Sequence, residues 1–252
     1  MTKKYIVLLL AFVACFNSIN AQVRPGLKMG YNIGGIIADD NATPYRLKTE
    51  SGNPDNFKLR SGFQAGIIAD CPINDEWAIQ PGVRFAMQGF KDEWSSGTSQ
   101  HSQQHQNIRT FNLFYLQVPV YAQYRMNVAE DVNLLFQAGP YAGYALFGRH
   151  NHVRGGRTQE LSNNKINFGN EPALRPANSA DMKNIDYGLS AGFGVEFFRF
   201  QLLLAYDVGL SETPFMKIPG DTYNILMRNQ CFSVTLAVIF GRRDPLQRMR
   251  DF

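Results

Sequence analysis

After residue 22 the chain alternates apolar and polar positions with a period of two, in segments of about 10–16 residues rich in aromatic and β-branched side chains. No segment of comparable length keeps a helical period. The pattern predicts strands near 27–38, 60–71, 77–91, 111–125, 132–147, 185–197, 200–211 and 224–241. Within 111–125, Phe114, Leu116, Val118, Val120, Ala122 and Tyr124 share one side, opposed by Tyr115, Gln117, Pro119, Tyr121, Gln123 and Arg125. Within 185–197, Tyr187, Leu189, Ala191, Phe193, Val195 and Phe197 oppose Asp186, Gly188, Ser190, Gly192, Gly194 and Glu196.

The connections between these segments alternate in length. Long polar stretches follow the first, third, fifth and seventh strands at 39–59, 92–110, 148–184 and 212–223, while short turns at 72–76, 126–131 and 198–199 follow the second, fourth and sixth. Short turns at one end and long loops at the other are the asymmetry of an outer-membrane barrel. Alternation alone does not say which face is inside, because a soluble sandwich or ligand-binding barrel shows the same period. Three features favour an apolar exterior. The polar face carries Gly and Gln rather than Lys and Glu. Aromatic residues Tyr124, Tyr144, Phe197, Phe200 and Phe240 fall near strand ends, where interface girdles sit. The strand lengths suffice to cross a bilayer at a tilt.

The first 21 residues change the picture of the whole chain. Lys3 and Lys4 precede an apolar run, Tyr5 to Phe16, that is too short for a spanning helix, and a small-residue segment ends at Ala21. This predicts a signal peptide over 1–21, cleaved after Ala21. A lipoprotein site at Cys15 fits less well, because Phe12 stands where Leu is usual and Phe16 follows the cysteine. The prediction is therefore an exported chain whose barrel domain covers 22–241, with an Arg-rich periplasmic tail over 242–252. At 252 residues and 18% charged, the chain is not a disordered polyelectrolyte, and a mean hydropathy of −0.25 excludes a bundle of membrane helices. Without the leader, 23 basic residues face 21 acidic ones, too small an excess to imply nucleic acid.

An eight-stranded barrel is just wide enough for side chains to fill it. The polar face then becomes a lumen, in which unpaired charge costs several kcal/mol. Lys28, Arg84 and Arg125 supply cations there, and Asp70, Asp186, Glu196 and Asp207 supply anions. With Gln117 and Gln137 they are expected to form a structural network that leaves no open pore. Cys71 and Cys231 are the cysteines of the exported chain. Their strand positions place Cys231 ~20 Å further from the short-turn end, too far for a disulfide, so both are expected to be free.

The segment Phe114-Tyr115-Leu116-Gln117-Val118-Pro119-Val120-Tyr121-Ala122-Gln123-Tyr124 resembles the "YLxxPxxxxY" strand of the porin-family outer-membrane β-barrels common in Bacteroidota. Gly139-Pro140-Tyr141-Ala142-Gly143-Tyr144 resembles that family's "GPYxGY", Asp186 to Glu196 its "DxGLxxGxGxE", Ala205 to Leu210 its "YxxGL", and Gly26 to Asn32 its first strand. The order of these motifs, over residues 24 to 241, is more specific than any one of them. The resemblance implies an all-β, eight-stranded antiparallel transmembrane barrel with short periplasmic turns and long extracellular loops. It implies no catalytic residues, and its PorT-like members are implicated in secretion and assembly. Ser233 to Phe240 resembles the terminal signal read by the barrel-assembly machinery.

Other chemistry leaves weaker marks. His101, His105, His150 and His152 all fall in predicted outer loops, without a carboxylate or thiolate pattern beside them, so neither a metal site nor a catalytic base is predicted. No cofactor is predicted. Arg149, Arg154, Arg157 and Lys165 suit contact with lipopolysaccharide phosphates. The expected function is a non-enzymatic outer-membrane barrel, structural or surface-binding through its outer loops. An accessory barrel of a secretion complex is the alternative, and a narrow porin comes third. Expected partners are outer-membrane lipids and lipopolysaccharide, the assembly machinery during insertion and, on the alternative reading, secretion-complex proteins.

Overall fold

The computed structural model describes residues 23–38, 57–96, 105–155, 157–159, 165–169, 180–211, 213–215 and 225–241. Eight long strands follow one another in a ring: β1 (Arg24–Ala38), β2 (Phe57–Pro72), β3 (Trp77–Ser96), β4 (His105–Ala129), β5 (Val132–Arg154), β6 (Ile185–Phe197), β7 (Phe200–Gly209) and β8 (Ile225–Ile239). Each pairs antiparallel with its sequence neighbours, and β1 pairs with β8 from Gly26 opposite Ile239 to Ala38 opposite Met227. The sheet closes on itself, so its strand edges are paired inside the apolar band, as a membrane requires. The fold is the eight-stranded antiparallel barrel that the alternation predicts.

Three tight turns gather at one end. Between β2 and β3, Asn74 Oδ1 accepts hydrogen bonds from the backbone N–H groups of Glu76 (3.0 Å) and Trp77 (2.6 Å), a side-chain mimic of a backbone turn. Between β4 and β5, Asp131 takes a left-handed φ of 61°. Between β6 and β7, Phe198 does so at 52°, a conformation that costs a β-carbon-bearing residue about 1 kcal/mol. The ladder closing on either side of Phe198 sets that cost aside: Phe197 pairs with Phe200, and Ile239 N–H donates to Arg199 O at 2.8 Å.

The faces divide cleanly. Phe193 is 59% exposed and Leu202 54%, whereas Asp70 and Gln117 are fully buried and Arg125 is 2% exposed. An apolar exterior around a polar interior is the inverse of a soluble protein. Exposed Trp77, Phe197, Phe198, Phe200 and Phe240 ring the short-turn end, and Tyr144 and Phe147 stand toward the other. Phe85, Phe114 and Phe147 form a stacked ladder across three strands, with centroids 5.7 and 4.4 Å apart.

Two expected loops are corrected. β3 continues to Ser96 and β4 begins at His105, so much of 92–110 is strand, and β5 continues through 148–154. The polar composition there reads as loop. Beyond the hydrocarbon band, however, a strand needs no apolar exterior, and Asp92, Arg109 and His152 pair in register across β3, β4 and β5. β7 ends at Gly209, two residues early. Short strands occupy parts of the remaining loops: Arg157–Gln159 pairs with β5, Thr213–Phe215 with β8, and Ile166–Phe168 runs parallel to Ala180–Met182. The predicted leader, 1–21, and the predicted tail, 242–252, lie outside the described residues.

Candidate functional site

The lumen is filled in levels. Nearest the short turns, Asp70 lies between Arg24 and Arg125 and pairs with both, the Arg24 Nε contact being 3.0 Å. Arg125 also faces Glu196 at 3.5 Å. Glu196 accepts from Asn133 Nδ2 at 3.1 Å and from Gln201 Nε2 at 2.7 Å, and Gln80 Nε2 reaches Gln201 Oε1 at 3.4 Å. At mid-height Arg84 donates through Nε to Gln117 Oε1 at 2.8 Å and through Nη2 to Asp207 Oδ2 at 2.5 Å. Lys28 lies 5.6 Å from the centre of the Tyr121 ring. Above, Asp186 accepts from Ser211 Oγ (2.5 Å) and Tyr141 Oη (3.5 Å), and Asn229 donates to Tyr115 Oη at 3.5 Å.

The nine residues singled out from sequence therefore all stand on the inner face, in different relations. Asp70, Arg125 and Glu196 form one connected group, and Arg84, Gln117 and Asp207 a second. Lys28 meets an aromatic face rather than a carboxylate. Gln137 is buried beside them with its Oε1 unpartnered. Arg24 lies outside the first strand as the alternation predicts it, from 27, whereas the strand begins at Arg24. Its shared parity with Lys28 is the signal that could have found it. Cys71 and Cys231 are free and buried. Cys231 pairs across from Gly34, and Cys71 follows the Asp70–Arg24 pair, so most of β1 separates their levels.

An apolar layer lies over the polar ones. Phe90, Phe111, Leu113, Tyr115 and Ala145 point inward from β3, β4 and β5, and Ile166 and Met182 from the β5–β6 connection complete the cluster. Phe90 and Phe111 stack at 4.5 Å. The Arg149–Lys165 bridge and the bond from Ala145 N–H to Asn184 O (2.7 Å) hold that connection to β5. Among the described residues, apolar packing occupies the outer mouth and ion pairs the levels below.

The histidines correct the loop assignment. His150 and His152 stand on β5, His105 opens β4, and His101 lies outside the described residues. A bulge decides where they point: Phe114 pairs with Phe147 but Tyr115 with Ala145, leaving Leu146 and Phe147 both outward. Below the bulge odd positions face in, and above it even positions do, so His150 turns inward and is 3% exposed. Burial first, then the Arg109 and His152 charges, push its imidazole down to about 4, and burial with the Arg109 and Arg154 charges lowers His152. Trp94 stacks on His152 at 5.4 Å and lies under Arg109 at 5.5 Å. No group of three or more His, Cys, Asp or Glu suited to a metal occurs among the described residues.

The family described as "Outer membrane protein beta-barrel domain" matches residues 15–213. The chain belongs to that family. Its place is the cell outer membrane, with the tight turns on the periplasmic side. Similar solved structures include the attachment invasion locus protein Ail of Yersinia pestis, at 14% identity over 86% of this chain and 99% of that one, TM-score 0.36. Neisserial surface protein A is 14% identical over 86% and 97%, TM-score 0.38. OprG of Pseudomonas aeruginosa is 12% identical over 87% and 95%, TM-score 0.40. No curated protein matches the chain.

Proposed function

We propose that this outer-membrane barrel is a non-enzymatic, non-conducting surface module that works through its outer rim. The observation that carries the reading is the rim itself. β3, β4 and β5 run on past the apolar band above a filled lumen, and Arg149, Arg154 and Lys165 are exposed there. Three cations on a paired scaffold suit phosphorylated groups of neighbouring lipopolysaccharide. The order of the sequence motifs supports the narrower assignment to the Bacteroidota porin-type branch. The same projecting strands could carry protein contacts in a second role, an accessory barrel of a secretion or assembly complex. Stable co-purification with such proteins would mark that role.

The test uses the full chain in nanodiscs of zwitterionic lipid, titrated with phosphorylated core oligosaccharide. Binding is expected to weaken with salt, to fall on enzymatic dephosphorylation of the probe, and to fall again in the combined Arg149→Ala, Arg154→Ala, Lys165→Ala variant. Equal binding by that variant would remove the reading.

A further inference from the structure

A groove of about 680 Å³ runs along the outside of the barrel, across β5, β6, β7, β8 and β1. Its size is in the range of small-molecule sites. Tyr31, Phe136, Phe193, Tyr206 and Phe232 contribute its bulky walls, and Ala191 supplies the small residue between them. The register explains the hollow. Ala191 pairs with Ala138 on one side and Tyr206 on the other, while the row beneath carries Phe136 opposite Phe193. The adjacent methyl side chains of Ala138 and Ala191 leave room between those bulkier neighbours.

The groove lies in the apolar band and is open sideways, so hydrocarbon is its environment. Its outer edge is polar. Tyr206 Oη donates to Gln230 Oε1 at 2.9 Å, which leaves the Gln230 amide nitrogen as a donor at that edge. Arg228, exposed two residues further out on the same face of β8, adds a cation. β8 runs from Ile225 at the loop end to Ile239 at the short-turn end, so Gln230 and Arg228 stand toward the outer boundary. An apolar channel at mid-height of the wall, then an amide donor, then a cation toward the outer boundary matches an acyl chain, its carbonyl and a phosphate, in that order.

We infer that this groove seats one acyl chain of the lipid A moiety of lipopolysaccharide, with an acyl carbonyl at Gln230 and a phosphate toward Arg228. The inference rests on the barrel's place in the membrane and not on the rim cations Arg149, Arg154 and Lys165, which stand on the extension of β5 and in the β5–β6 connection, whereas Gln230 and Arg228 stand on β8.

Native mass spectrometry of the full chain, extracted from outer membranes in mild detergent, tests it. The wild type should carry one lipopolysaccharide adduct per barrel. Ala191→Trp fills the hollow and should cut occupancy by about tenfold or more, while the heat-dependent gel shift shows that the barrel still folds. Gln230→Leu keeps the wall and removes the donor, so it should lower occupancy whether or not Ala191→Trp folds. An unoccupied wild type, undiminished occupancy in both variants, an adduct with a phospholipid mass, or a dimer ion abolished by Ala191→Trp would each overturn the inference. Loss of oligosaccharide binding in the rim variant with adducts intact would leave it standing.

Discussion

Arg84 and Asp207 meet across the lumen, Nη2 to Oδ2 at 2.5 Å, from strands that lie on opposite sides of the eight-membered ring. Neither residue is near the other in sequence or in the sheet, so the pair ties the two halves of the wall together. Removing one partner leaves a charge in a site with little water. Arg84→Ala is expected to cost about 3–5 kcal/mol, measured as a lower unfolding midpoint in urea with lipid vesicles. Replacing both, Arg84→Met with Asp207→Leu, should recover most of that loss. A double variant as unstable as the single one would mean that the ion pair is not what the site needs.

Packing at the outer mouth makes a separate contribution. Phe111 is fully buried between Phe90 and the residues that Ile166 and Met182 cover. Phe111→Ala should cost about 3–5 kcal/mol in the same assay. Protease should also cut sooner within 155–184, because that connection loses the surface it packs on.

Glycine matters most where the wall is tightest. A β-carbon at Gly194 would overlap the Leu202 carbonyl oxygen on β7. Gly194→Val should cost about 1–3 kcal/mol and lower the temperature at which the folded band disappears on gels. The expected order is Gly194→Val below Gly194→Ala below wild type.

His150 links stability to pH. Its folded pKa, near 4, lies below the ordinary 6.5, so the unfolded chain binds the extra proton first. Stability is then complete above about pH 6.5 and falls as the pH drops toward 4. Arg109, His152 and Asp92 are the charged neighbours on β4, β5 and β3. Urea midpoints measured from pH 7.5 to 4.5 should decline in the wild type and decline less in His150→Phe. Parallel curves would assign the decline elsewhere.

Much of this architecture is legible in the sequence, for a physical reason. Inside the membrane a strand must alternate, because one face meets hydrocarbon and the other meets the lumen. Lys28, Arg84, Arg125, Asp70, Glu196 and Asp207 can therefore be placed on one wall from their parity alone. Two things break that logic. Parity fails at a bulge, so the Leu146–Phe147 irregularity hides the inward turn of His150. Beyond the bilayer the exterior constraint lapses, so the polar outer halves of β3, β4 and β5 look like loops. The pairing of Arg24 and Arg125 with a shared Asp70 was likewise not legible, since alternation gives a face and says nothing of which residues meet there.

Conductance tests the filled lumen most directly. The full chain, reconstituted in a planar bilayer, should show no steady channel at moderate voltage, because ion pairs cross the lumen and Phe90, Phe111, Leu113, Ile166 and Met182 close its outer end. A stable ohmic conductance from folded wild-type protein, matching the gel-shifted species in amount, would contradict it.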